Sequence, residues 1–324
     1  MIKNYLFLTS LLLSFPALAE IFYPSNMLQL DDKFSHHVML VEKSSHKISV
    51  YKNTNGIPEL VKTYKIATGK FAGNKTNEGD KKTPEGIYQL WDFYSKDKLH
   101  KMYNANDAKI FGAGAFPTNY PNIIDSRNGK TGSGIWLHST DDESRIDKGL
   151  DSKGCVVVVD SDLKEIAQYI DLDNTSIVIV HDLFFLNEKK WSDQRKEINE
   201  LITGWRNAWR EENVDAYMEF YHPQEFKDAK GTFQTYKAYK KAVFSNPGKP
   251  MVDFFNISIL SFNDYIVVQM EQKYVSNTIN DSGKKTLYLK KNHNYEWKIV
   301  AELWAKIPED KGSNFVPANR FFKE

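Results

Sequence analysis

The chain has 324 residues, of which 41% are hydrophobic and 14% aromatic; 43 basic side chains face 42 acidic ones, for a formal charge of +1. That length and composition provide for two domains with packed cores. The balanced charge excludes a global basic field for nucleic acid, and the aromatic content excludes an acidic, disordered chain.

Residues 1–19 read as a secretory leader. Lys3 supplies the positive start, residues 5–13 the apolar centre, and Ala17-Leu18-Ala19 a small-residue cleavage site ahead of Glu20. The apolar stretch is shorter than the roughly 20 residues that span a bilayer, and no later stretch reaches that length. A soluble, exported protein is expected. Residues 20–36 form a short lead-in without evident chemistry. His36 and His37 are adjacent, so alternation along a strand would point them to opposite faces and spoil a metal pair.

A β-rich domain is expected next, over 37–185. Residues 37–41 (HVMLV), 47–51 (KISVY) and 60–67 (LVKTYKIA) read as strands, with Asn55-Gly56 as a hairpin turn. A polar loop at 73–82 leads to a Pro84/Gly86 turn and a further strand at 86–91. Residues 92–133 carry Tyr94, Tyr103, Phe111, Phe116 and Tyr120 among glycines and prolines, which reads as a lid or groove wall, or as ordinary loop packing.

The chemistry concentrates at 134–160. His138 is followed seventeen residues later by Cys155, the single cysteine, and Cys155 opens the run Val156–Val159. In an exported chain a lone cysteine has no disulfide partner within the chain, so it is inert core or a reactive thiol. A thiolate is the nucleophile, and a histidine within reach can take the thiol proton and return it to a leaving group. Backbone N–H groups of Gly154 and Cys155 are the candidate oxyanion hole. An unrelated Cys/His pair is more often core than catalytic; the export signal and the motif reverse that here.

Trp136-Leu137-His138-Ser139 followed by Ser152-Lys153-Gly154-Cys155 resembles the active site of the L,D-transpeptidase catalytic-domain (YkuD) family. Lys82-Thr83-Pro84-Glu85-Gly86-Ile87-Tyr88 is similar to that family's T-P-x-G turn, and the resemblance covers about 37–185. It implies a β-sandwich-like scaffold with His138 and Cys155 in a groove, and a role for the Ser139 carbonyl in orienting His138. Trp136, Ser152 and Lys153 flank the pair as candidate substrate contacts. One position departs from the pattern: Val157 stands where the family usually has Arg. Lys153 is the candidate replacement cation, with a solvated loop lysine as the equal alternative.

After the valine run, 161–169 reads as a helix capped by Ser161, with Leu163, Ile166, Ala167 and Ile170 inward, and 176–181 as a buried strand. His181 receives no role. Residues 186–194 read as a polar linker. Ile198, Leu201, Ile202, Trp205 and Trp209 then recur at helical spacing, Asn213 caps a second helix, and four strand-like runs follow between 252 and 304. Helices followed by a bent antiparallel sheet describe an α+β cone over 195–305, and the helix pattern resembles the nuclear transport factor 2-like superfamily. Trp205, Trp209, Tyr217, Tyr274 and Trp297 read as core more than as pocket lining. Residues 306–324 are a tail.

The fold class expected is therefore mainly β with α+β: a β-sandwich-like catalytic domain followed by a cone. The pairing of the two domains resembles the cell-shape-determining L,D-carboxypeptidases of helical Gram-negative bacteria. That resemblance implies a periplasmic enzyme that trims peptidoglycan tetrapeptide stems to tripeptides by releasing D-alanine. Cross-link formation, or wall binding without catalysis, are the alternatives. Stem peptides are the implied partner, with neither nucleic acid nor a cofactor. A homodimer or a cell-shape partner, engaged through the N- or C-terminal regions, is left open. No ligand spacing such as H-E-x-x-H supports a metal site.

Overall fold

A computed structural model describes residues 20–104, 108–245, 248–277, 279–307 and 315–322. The expected leader lies outside the described residues. The chain starts with two short strands, β1 (Phe22–Pro24) and β2 (Met27–Gln29). Then come β3 (His37–Glu42), β4 (Lys47–Thr54), β5 (Ile57–Lys65), β6 (Thr68–Gly69) and β7 (Gly86–Gln89). The hairpin between β4 and β5 turns at Asn55 and Gly56, both at positive φ (55° and 86°), as an Asn-Gly turn requires. The segment 92–133 contributes β8 (Tyr94–Ser95), helix α1 (Lys96–Met102), a 3-10 turn (Lys109–Phe111), β9 (Gly114–Pro117) and α2 (Ile123–Arg127). Next are β10 (Trp136–Thr140), the short α3 (Ser144–Asp147), β11 (Leu150–Ser152), β12 (Val156–Val159), α4 (Asp160–Ala167) and β13 (Ser176–Val180).

These strands make two layers. One sheet has the order β5-β4-β3-β13-β7 and the other β12-β10-β9-β8. Met39, Val41, Ile48 and Val50 of the first face Phe116, Leu137, Val156 and Val158 of the second in one buried cluster. This is the expected sandwich. Its pivotal pairing is parallel: β10 lies beside β12 with His138 opposite Val157. The strand that carries the histidine and the strand that follows the cysteine are thus hydrogen-bonded neighbours.

The second domain begins with β14 (Phe185–Asn187) and α5 (Glu188–Arg210), followed by α6 (Val214–Met218), β15 (Lys227–Asp228), β16 (Gly231–Thr232) and α7 (Phe233–Phe244). Four long strands close it: β17 (Met251–Phe262), β18 (Tyr265–Val275), β19 (Asn280–Lys291) and β20 (Trp297–Lys306). The helices cover one face of this sheet, and Trp205, Tyr217, Ile259, Val268 and Leu287 share one core. Trp205 and Tyr217 are fully buried and Trp209 nearly so, which makes them core, while Tyr274 and Trp297 pack at its margin.

Four readings need correction. The expected linker at 186–194 is the end of β14 and the first turns of α5: Asn187 caps the helix by accepting from the Lys190 N–H, and Trp191 is buried with its indole N–H on the Met27 carbonyl (2.8 Å). The run looked like a linker because Trp191 is the one apolar side chain in its first two turns. The lead-in is also structural, because β2 joins the cone's sheet as an edge strand beside β17. His36 and His37 do not point apart: their Nδ1 atoms lie 3.0 Å from each other, because the strand begins only at His37. No group of metal-ligating side chains occurs among the described residues. Finally, α4 begins at Asp160 with Val159 at its cap, so Ser161 sits inside the first turn; the four inward residues are buried as expected.

The two domains share an apolar seam. Val38, Leu40, Ile87 and Val178 pack against Leu260, Tyr265, Val267 and Tyr288. The Tyr265 hydroxyl accepts from the Ile87 N–H (2.9 Å), pinning β7 to the cone. The tail returns to the sandwich, where Phe321 and Phe322 pack on Phe93.

Candidate active site

His138 sits in the middle of β10, almost completely buried. Its Nδ1 is 2.8 Å from the Ser139 carbonyl. A carbonyl only accepts, so Nδ1 carries the proton and Nε2 is the unprotonated nitrogen. The Ser139 hydroxyl accepts from the Ala113 N–H (2.9 Å), which also donates to Asp160 Oδ1 (2.9 Å). Those bonds pin the loop that holds Phe111, whose ring meets His138 edge-on at 5.1 Å. Gly112 is required there: its φ is 54°, and a Cβ would stand 2.2 Å from Asp160 Oδ1.

Cys155 lies one residue before β12. Its thiol points to the Gly134 carbonyl (3.5 Å) rather than to His138. The loop before it is closed by Ser152, whose hydroxyl donates to the Cys155 carbonyl (2.7 Å) and accepts from the Gly154 N–H (3.0 Å). Gly154 has φ 131°, and a Cβ would meet the Lys82 carbonyl at 2.8 Å. Glycine is therefore needed to bring the thiol loop against the T-P-x-G turn.

The flanking expectations divide. Trp136 is the floor of an aromatic wall made with Tyr94, Tyr103 and Phe111, against which Cys155 packs; 92–133 thus supplies three of the rings that line one side of the thiol. Ser152 is buried and spent on the loop, so it is a positioning residue, not a substrate contact. The Gly154 N–H is taken by Ser152, which removes it from the oxyanion hole and leaves the Cys155 N–H of the expected pair. Lys153 is exposed and is not among the charges that act on the thiol.

The cations that do act there are Arg145 and Lys75, which the sequence reading missed. Val157 explains the first. It is fully buried in a small cluster with Ala67 and Ile146. The residue that departs from the family pattern is thus the seat on which α3 docks through Ile146, and Arg145 is its neighbour. Arg145 donates from Nε to Asp151 Oδ2 (2.6 Å) and from Nη1 to the Ile110 carbonyl (2.9 Å). Only its place in the segment between histidine and cysteine hinted at it.

Burial dominates the electrostatics. It pushes the Cys155 thiol up to about 11, against the lowering effect of the Trp136 N–H, Arg145 and Lys75. It pushes His138 down to about 4, with the Ser139 carbonyl opposing and Arg145 assisting. At neutral pH the resting pair is a neutral thiol and a neutral imidazole. The proton therefore leaves sulfur during attack, with His138 as general base, rather than beforehand. A cavity of about 900 Å³ lies elsewhere, between residues 171–174 and β20, and neither Cys155 nor His138 lines it. The chemistry, not the cavity, marks the site.

Comparison with known families and structures identifies both domains. Residues 36–180 match the L,D-transpeptidase catalytic domain (YkuD), and residues 197–303 match the Cds6 C-terminal NTF2-like domain. The fold is similar to the structure of Bdellovibrio bacteriovorus Bd1075, at 32% identity over 89% of this chain and 100% of that one, with a TM-score of 0.77. It is also similar to the helical cell shape determining protein Pgp2 from Campylobacter jejuni, at 25% identity over 86% of this chain and 95% of that one, with a TM-score of 0.67. No curated protein matches the chain.

Proposed function

The chain belongs to the L,D-transpeptidase catalytic-domain family of peptidoglycan-active cysteine enzymes, joined to an NTF2-like domain, and from that premise we propose that it is an exported peptidoglycan L,D-carboxypeptidase. It acts in the periplasm, after removal of residues 1–19, and shortens tetrapeptide stems to tripeptides. The observation that carries the reading is the placement of His138 on β10 and of Cys155 one residue ahead of the parallel neighbour β12, with the imidazole tautomer fixed by Ser139. The likeness to a cell-shape-determining protein supports a role in cell shape.

Cys155 Sγ attacks the carbonyl carbon that links the third stem residue to D-alanine, while His138 Nε2 takes the thiol proton. The Cys155 N–H stabilises the oxyanion. Collapse breaks the C–N bond, and the proton on Nε2 passes to the departing amine. Water then attacks the thioester with His138 again as base; the tripeptide carboxylate leaves and the thiol is restored. The wall of Trp136, Phe111 and Tyr103 shields the thioester from bulk water.

The test is incubation of the protein from Glu20 with purified disaccharide-tetrapeptide, followed by mass spectrometry. Loss of one alanine by the unmodified protein, and none with Cys155→Ala, is the expected result. Cross-linked dimers would move the assignment to transpeptidase. No change with either protein would reject catalysis on this substrate.

A further inference from the structure

We propose that Arg145 receives the free C-terminal carboxylate of the residue that leaves, and so makes the enzyme an exopeptidase. The inference rests on the carboxypeptidase reading and adds the residue that enforces it.

The placement of α3 is the first argument. It stands in the segment between the strand of His138 and the loop of Cys155, and Ile146 anchors it to Val157 and Ala67. Arg145 projects from this anchored turn and is held at two points on two segments, Asp151 and the carbonyl of Ile110. Its side chain is only 15% exposed, so the guanidinium is fixed rather than waving in solvent. Its Nη2 has no hydrogen-bond partner among the described residues. A planar guanidinium with fixed orientation and a spare Nη2 is suited to a carboxylate oxygen.

The charge balance is the second argument. Arg145 acts on both Cys155 and His138, Lys75 acts on Cys155, and no carboxylate acts on either. The catalytic pair thus faces two cations and no carboxylate, while each cation has a carboxylate of its own, Asp151 for Arg145 and Asp80 for Lys75; a substrate carboxylate would be a second partner for Arg145. Lys75 is not the receiver: its ammonium is closed by Asp80 Oδ1 and the Asn77 carbonyl, both at 2.8 Å, in a nearly inaccessible position.

Substrate chemistry is the third. His138 must protonate the leaving amine, so the leaving residue sits on the His138 side of the scissile bond. In a stem cut at its last peptide bond, that residue carries the one free α-carboxylate next to the reacting atoms. Arg145, bonded to the carbonyl of Ile110 next to the Phe111 whose ring meets His138, is the cation on that side. A stem whose terminal carboxyl is amidated loses this contact.

The experiment compares the tetrapeptide stem with its C-terminal amide for the unmodified protein, Arg145→Gln and Arg145→Lys. The unmodified protein is expected to prefer the free acid by roughly 10- to 100-fold in kcat/KM. Arg145→Gln should erase the preference, any loss through its charge on Cys155 and His138 falling on acid and amide alike and the additional loss on the acid only, and Arg145→Lys should keep part of it. Retained cleavage of the amide by Arg145→Gln reports that the site is folded. A preference that survives Arg145→Gln, or an equal loss on both substrates, overturns the proposal. Calorimetric binding of both peptides to Cys155→Ala, with and without Arg145→Gln, separates the two claims. If the unmodified protein releases no alanine, the reaction assignment fails, yet Arg145-dependent preference for the acid in binding still supports the carboxylate contact. Equal affinity for acid and amide overturns it.

Discussion

The groove and the cone each bury titratable groups among aromatic rings, and they treat them in opposite ways. In the groove, His138 is buried and Cys155 partly buried, neither with an ionic partner, and both stay neutral. In the cone, Glu302 is equally buried, and burial alone would raise its pKa; Lys285, Lys240 and the Tyr221 hydroxyl overrule that and hold it below its ordinary value. Its Oε2 accepts from Lys285 (2.9 Å), and its Oε1 accepts from Tyr221 and from Tyr236 (3.2 Å). Lys240 lies over the rings of Trp209 and Tyr217, and its burial pulls it down to about 7. One region satisfies its charges and is locked. The other leaves a nucleophile and a base unsatisfied and ready to exchange a proton. A buried titratable group thus points to catalysis when its compensation is missing, not when it is complete.

Five measurements break or sharpen that contrast. His138→Ala should cut alanine release by about 10²- to 10⁴-fold, the usual contribution of a positioned acid–base group, along with a loss of stability of about 1–3 kcal/mol from the cavity and the unmet Ser139 carbonyl. Glu302→Gln should lower stability more and leave alanine release by the folded protein unchanged. It strands Lys285 and Lys240 in a buried site, an effect of about 3–5 kcal/mol, visible as a lower denaturant midpoint with the groove chemistry intact.

Acid should distinguish the regions next. Burial holds His138 at about 4 in the folded protein against an ordinary value of 6.5, so the unfolded chain binds the extra proton between those values. Its contribution to stability is complete above pH 6.5 and is lost as pH falls through about 4, an effect of about 3 kcal/mol. Denaturant midpoints measured from pH 7 to pH 4 should fall less steeply in His138→Ala. Within the groove, alkylation of Cys155 should keep rising with pH to at least pH 9, because the thiol titrates near 11; a plateau near pH 7 would indicate a resting ion pair instead. The smallest effect is Ser152→Ala, which leaves the buried Gly154 N–H unmet at about 1–3 kcal/mol and loosens the thiol loop.

The same contrast governs what the sequence disclosed. His138, Cys155 and the glycine before it were legible because the chemistry ties them to short spacings. The four long strands and the Asn55-Gly56 turn were legible from period and turn type. Arg145 was not, because its position depends on Ile146 finding Val157, a contact between residues with no local signature. Val157 alone reads as a missing cation; in the fold it is the seat of α3. The cone's Glu302 and Lys285 lie 17 residues apart on paired strands, and their meeting is set by sheet register. Residues 20–36 were read as a lead-in because an edge strand that pairs with β17, more than 200 residues away, leaves only a short apolar run in its own sequence.

The central claim is that a neutral Cys155, activated only in the presence of substrate, carries the stem peptide. Intact-protein mass spectrometry within the first turnovers on a tetrapeptide stem tests it most directly. The account expects a transient adduct on Cys155 equal to the stem minus alanine, absent from Cys155→Ala. Alanine release that persists in Cys155→Ala would contradict it.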